Sequence, residues 1–152
     1  MEQEKIKQLV LSLNKTLREK YNTDIIFSGS LALYLQGIEL NRDFHDIDVK
    51  VVDVDPKVVR KNHIDFELPI DFLGYTDITL ESKEIDVDGQ KILVYTPETI
   101  MKHKVSSINF NRHRKIKNEL TERKVEKDLR DLRYITENYG IGNEILKEVQ
   151  DE

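Results

Sequence analysis

The apolar positions of this chain change period several times, and each change marks an element. Ile6, Leu9, Val10, Leu13, Leu17 and Tyr21 recur three or four residues apart, with Lys, Gln and Glu between them. That spacing predicts an amphipathic helix over residues 3–21. Asn22-Thr23-Asp24 reads as a turn, and Ile25-Ile26-Phe27 is a short unbroken apolar run of the kind a buried strand shows. The run ends at Ser28-Gly29-Ser30, and a second helix is predicted from Leu31 to Leu35, stopped by Gly37. A polar loop over 39–45 leads to a strand from Asp46 to Val54. Ile47, Val49, Val51 and Val54 in it are β-branched, and Asp46 and Asp48 stand on its other face.

Further on, Pro56 opens a short helix or an irregular link. Pro69 precedes a strand at Ile70-Asp71-Phe72-Leu73, closed by Gly74. Glu84 to Tyr95 reads as a hairpin turning at Asp88-Gly89, a favoured two-residue turn. Pro97-Glu98 opens a helix to about Ser107. A long charged helix follows over roughly 117–138, with Leu120, Val125, Leu129, Leu132 and Ile135 on its apolar side. Tyr139-Gly140 ends it, and Asn143 can cap a last short helix. The order of helix, strand-rich centre and helices predicts an α/β (α+β) fold: a mixed sheet flanked by helices, with a C-terminal helical segment. Residues 1–96 are expected to form the core and 97–152 the helical segment packed on it, as one compact domain.

Composition narrows the chemistry. The 152 residues contain no cysteine, so disulfides, thiolate metal sites and cysteine nucleophiles are excluded. The first residues are polar and charged, so no secretory signal is expected. No apolar run approaches the roughly 20 residues of a membrane helix. A cytoplasmic protein with no membrane partner is the resulting expectation. The net charge of −5 argues mildly against a dedicated nucleic-acid binder. That average hides an asymmetry: Lys102 to Arg133 holds eleven Lys or Arg and five acids, a net +6, which leaves −11 for the rest.

The stretch from Phe27 to Val51 carries the chemistry. Asp46 and Asp48 are two residues apart on a predicted strand, so their side chains share a face. Two carboxylates so close repel unless a cation neutralises them, and oxygen-only ligands suit Mg²⁺ or Mn²⁺. Gly29 allows close backbone approach to a phosphate. Ser30 adds a hydroxyl donor at the start of a helix whose first N–H groups are free to bind an anion. A phosphate cradle beside paired carboxylates is what phosphoryl or nucleotidyl transfer requires. A third carboxylate from a neighbouring strand would complete the set, and Asp71 or Asp65 can supply it. Asp71 can also serve as base for an attacking hydroxyl. His45, beside Asp46, reads equally as a supporting contact to that acid or as a surface histidine.

Gly29-Ser30, fifteen intervening residues and then Asp46-Ile47-Asp48 resemble the signature of the nucleotidyltransferase superfamily, which shares the DNA polymerase beta palm. Arg42-Asp43-Phe44-His45 before the acid pair is similar to the loop of antibiotic nucleotidyltransferases and of abortive-infection toxin-type nucleotidyltransferases. Pro97-Glu98, Lys104, Arg123, Lys127-Asp128 and Asp131-Leu132 resemble the helical region that follows the palm in the toxin-type group. The resemblance runs from about Ile25 to Leu132. It implies that Asp46, Asp48 and Asp71 bind metal and carry catalysis, and that Gly29 and Ser30 hold the nucleotide phosphates. Arg42, Lys104 and Lys127 would add phosphate contacts.

Three functions stay open at this level. The first is metal-dependent transfer of a nucleoside monophosphate from an NTP such as ATP to a hydroxyl of a small acceptor. The second is the same transfer to tRNA or a protein in a toxin–antitoxin setting, with a cognate antitoxin as partner. The third is a non-catalytic nucleotide- or partner-binding protein on the same fold. In a chain this short a large acceptor domain is not expected, so a small acceptor site, or one shared in a homodimer, is the expectation.

Overall fold

A computed structural model describes residues 3–61, 68–73 and 81–150. The described chain forms six helices and five strands and divides into two compact units. One comprises Met1–Gly37 and Arg42–Thr96, and the other comprises Ile38–Asn41 and Pro97–Glu152.

The first unit is built on a five-stranded mixed sheet. Helix α1 (Gln3–Tyr21) leads into β1 (Ile25–Ser28), and α2 (Gly29–Leu35) leaves β1 at once. Strand β2 (Ile47–Val51), α3 (Pro56–Lys61), β3 (Ile70–Phe72), β4 (Ser82–Val87) and β5 (Gln90–Tyr95) follow. The strand order is β3-β2-β1-β5-β4. Strand β1 pairs antiparallel with β2 and parallel with β5, β2 pairs parallel with β3, and β4 with β5 is antiparallel. The hairpin turns where the sequence predicts, with positive φ at both Asp88 and Gly89 and the Gly89 N–H donating to Asp86 Oδ1. Helix α1 lays its predicted stripe against β1 and β5. Val10, Leu13 and Leu17 are fully buried, each worth about 1.5–3 kcal/mol in transfer terms. The amide of Gln36, just past α2, donates to the carbonyls of Ala32 and Tyr95 and so ties the end of that helix to β5.

The second unit packs α4 (Pro97–Arg112), α5 (Glu119–Tyr139) and α6 (Asn143–Gln150) against one another. Met101, Ile108, Leu132, Ile135 and Val149 are buried in these helices. Helix α5 starts at a capping box, in which Asn118 Oδ1 accepts from the Thr121 N–H and Thr121 Oγ1 accepts from the Asn118 N–H. It ends at Gly140, with φ of +67° and its N–H on the Thr136 carbonyl. Gly142 leaves room for the Met101 side chain, whose Cε lies 2.1 Å from where a Cβ would stand.

Several boundaries and one face differ from expectation. Helix α2 begins at Gly29 rather than Leu31, because the chain turns into the helix at the glycine itself. Strand β2 ends at Val51, where the chain turns and Asp53 takes positive φ. Helix α4 runs on to Arg112. In α5, Leu120 stands out in solvent at 73% exposure, while Asp128 and Asp131 are buried beside Leu132 and Ile135. The inward face of that helix is therefore set by an ion-pair cluster as well as by apolar spacing. Gly74, expected to close β3, lies outside the described residues.

Candidate functional site

The site grows out of the alternation of β2. Ile47, Val49 and Val51 are buried, so Asp48 must stand on the opposite, half-buried face of the strand. Asp46 lies one residue ahead of the strand with the same parity. On one side β2 is held by antiparallel β1, which sets Ser28 opposite Asp48. On the other it is held by parallel β3, which sets Asp71 opposite Asp48. The Ile47 N–H donates to the Pro69 carbonyl at 2.9 Å, and the Leu73 N–H donates to the Val49 carbonyl at 2.8 Å, which fixes that register.

Three carboxylates thus converge from two adjacent strands. Asp46, Asp48 and Asp71 each offer an oxygen, and these oxygens lie within 4.8 Å of one another. Asp46 and Asp48 are half-buried and Asp71 is exposed, so the group opens to solvent on the Asp71 side. A donor set of carboxylate oxygens alone, at this spacing, suits a hard divalent cation. Of the two third acids read from the sequence, Asp71 joins the group, and Asp65 lies outside the described residues.

Gly29 has a role that the sequence pattern does not reveal. Its φ is +67°, and a Cβ built there would fall 2.0 Å from Asp48 Oδ2. The missing side chain is what lets the Asp48 carboxylate lie against the first turn of α2. Ser28 and Ser30 flank this contact, and both are buried. The strand end, the glycine and the start of α2 therefore meet at the acid group.

The remaining sequence candidates are three cations and a histidine. Arg42 lies in the loop before β2, half-buried, with Nη1 donating to the Asp43 carbonyl at 3.3 Å. His45 is exposed. Lys104 and Lys127 belong to the second unit. Lys127 is exposed on α5. Lys104 reaches from α4 to α5, with Nζ 3.0 Å from Asp131 Oδ2 and 3.6 Å from Asp128 Oδ1. The spacing of charges along the sequence does not mark this cluster as a unit. Its signal is visible afterwards: Asp128 and Asp131 are three apart on a helix and share the face of Leu132 and Ile135. Next to Lys104, His103 is buried, and desolvation lowers its pKa from 6.5 to about 4, so its ring is neutral at physiological pH.

No family model matches the sequence, and no curated protein matches it significantly. Among solved structures, the chain is similar to an antigenic nucleotidyltransferase-like protein from Paracoccidioides brasiliensis. The TM-score is 0.52 at 14% identity, over 97% of this chain and 94% of that one. At that identity the likeness speaks for the fold alone. The mixed sheet with its flanking helices is nucleotidyltransferase-like, and it carries a three-carboxylate group able to hold a metal ion.

Proposed function

We propose that this protein is a metal-dependent nucleotidyltransferase. The observation that carries the reading is the convergence of Asp46, Asp48 and Asp71 beside the side-chain-free edge of Gly29. A divalent cation, Mg²⁺ or Mn²⁺, held by these carboxylates would neutralise triphosphate charge and make an acceptor hydroxyl more acidic. Gly29, Ser30 and the first N–H groups of α2 orient the phosphates of an NTP. The exposed Asp71 carboxylate takes the proton of the attacking hydroxyl. The new bond forms between that oxygen and the α-phosphorus as the bond from the α-phosphorus to the bridging oxygen breaks and pyrophosphate leaves. Asp46 and Asp48, held by β2 and its partner strands, keep their places throughout. Arg42 adds a cation to the phosphates. Lys104 and Lys127 are accessory candidates, and Lys104 would have to give up at least part of its pairing with Asp128 and Asp131 to serve.

The acceptor hydroxyl belongs to a small molecule or, in a toxin-type role inside the cytoplasm, to tRNA or protein. The basic run from Lys102 to Arg133 favours a polyanionic acceptor within that choice. The deciding measurement is Mg²⁺-dependent release of pyrophosphate, with label transfer from α-labelled NTPs onto candidate acceptors. Asp46→Asn and Asp48→Asn are expected to lower it by roughly a thousandfold or more. Turnover that survives both substitutions would defeat the mechanism. Nucleotide binding without turnover on any acceptor would establish a binding protein instead.

A further inference from the structure

In the second unit, the connection between α4 and α5 holds three large apolar side chains in solvent. Phe110 is 68% exposed, Ile116 77% and Leu120 73%. All three fall within eleven residues of chain around one helix–helix elbow. The elbow is a built feature. The Asn118–Thr121 capping box starts α5 so that Thr121 turns inward and Leu120 outward. At its base the Arg112 guanidinium donates to the Val149 carbonyl at 2.8 Å, which anchors the end of α4 to α6.

The charge around these side chains is net positive, with Glu119 and Glu122 beside Leu120 outnumbered by five Lys or Arg. No carboxylate occurs from Thr99 to Asn118, and residues 114–124 carry a net +3 against −8 for the rest of the chain. Arg114, Lys115, Lys117 and Lys124 are exposed. Ile116 sits between Lys115 and Lys117, and the Arg114 guanidinium lies over the Phe110 ring, 5.5 Å from its centre.

We infer that this elbow is a peripheral docking site for an anionic lipid surface. Interleaved apolar and cationic side chains match the boundary between acyl chains and headgroup phosphates. Phe, Ile and Leu enter the apolar side while Lys and Arg stems keep their charges at the phosphates. Stacking on nucleic-acid bases would use only Phe110, one face of which Arg114 already covers, and gives Ile116 and Leu120 nothing to do. The −8 remainder of the chain is repelled by the same surface, so approach is elbow first. This departs from the sequence-based expectation of no membrane partner. No helix among the described residues is long and apolar enough to cross a membrane, and the elbow needs only to lie on one.

The experiment is co-sedimentation of the full chain with phosphatidylcholine vesicles, with and without about one third phosphatidylglycerol. Binding is expected only with the anionic lipid and should weaken as salt rises. Ile116→Ser with Leu120→Ser should weaken it about tenfold or more, and circular dichroism reports whether that variant is folded. Phe110→Trp introduces the chain's only tryptophan, whose emission should shift to the blue on anionic vesicles. Absence of sedimentation at low salt overturns the inference. So does sedimentation unchanged in the folded double variant, which would be adsorption by charge alone. An elbow that binds tRNA and ignores vesicles overturns it in favour of RNA.

Discussion

Two groups of aspartates in this chain look alike in sequence and behave as opposites. Asp46, just ahead of β2, and Asp48 on it stand two apart, and with Asp71 they form a group open to solvent. Asp128 and Asp131 stand three apart on a helix and close around Lys104, whose side chain is 12% exposed, with 11% and 5% for the two acids. The helical pair holds its cation within the fold. The strand group gathers three carboxylates at a spacing that an added divalent ion would bridge. Spacing alone does not decide between these outcomes. A buried cluster must carry its own counter-charge, because a lone charge out of water is costly, whereas an open one can take its counter-charge from solution.

The contrast can be broken most forcefully at Lys104. Lys104→Met removes the lysine that pairs with two buried carboxylates and should cost about 3–5 kcal/mol in urea unfolding. A loss below about 1 kcal/mol would mean that water reaches these acids and that the cluster is not closed.

His103, one residue before Lys104, tests the dryness of α4 by another route. Its folded pKa lies below the unfolded value, so its contribution is complete above pH 6.5 and is lost as pH falls towards about 4. Unfolding free energy should fall by on the order of 2 kcal/mol across that window. His103→Gln should remove this part of the slope. An unchanged slope would show that other groups carry the acid sensitivity.

The strand group should respond the other way. In metal-free protein, Asp71→Asn removes one of three converging like charges, and stability should hold or rise by up to about 1 kcal/mol. Added Mn²⁺ should raise the melting temperature of the natural chain, and Asp71→Asn should weaken that effect by at least about tenfold in apparent affinity. Gly29→Ala should do the same, because its Cβ displaces the Asp48 carboxylate. Equal Mn²⁺ stabilisation in all three proteins would place the ion elsewhere.

The smallest effect sharpens the reading of α5. Leu120→Ser should change stability by less than about 0.5 kcal/mol, since the side chain is already in water. Ile135→Ala, fully buried later in the same helix, should cost about 2–5 kcal/mol in the same titration.

Much of this was legible along the chain where a pattern reports on its own neighbours. The α1 stripe, the Asp88-Gly89 hairpin and the Gly140 stop are local: residues a few positions apart meet on one face or share one turn. Asp46 and Asp48 belong to the same class, since strand parity puts them on one face wherever the strand lies. The face of α5 was legible at Leu132 and Ile135 but not at Leu120, which fits a helical period and yet stands in solvent. What turned the helix was a partner on another element, Lys104 of α4. Asp71 could be named from sequence but not separated from Asp65, because parallel pairing of β2 with β3 is a contact across some twenty residues.

By itself, then, the sequence determined the elements, the parity of the acid pair and the absence of any thiol chemistry, since each follows from covalent order and short-range sterics. The tertiary structure decided three further things: that Asp71 faces Asp48, that Gly29 is empty so that Asp48 can lie there, and that the helical aspartates are spent on an internal lysine. Each depends on which side chain arrives from a distant segment, and that is set by strand register and helix packing.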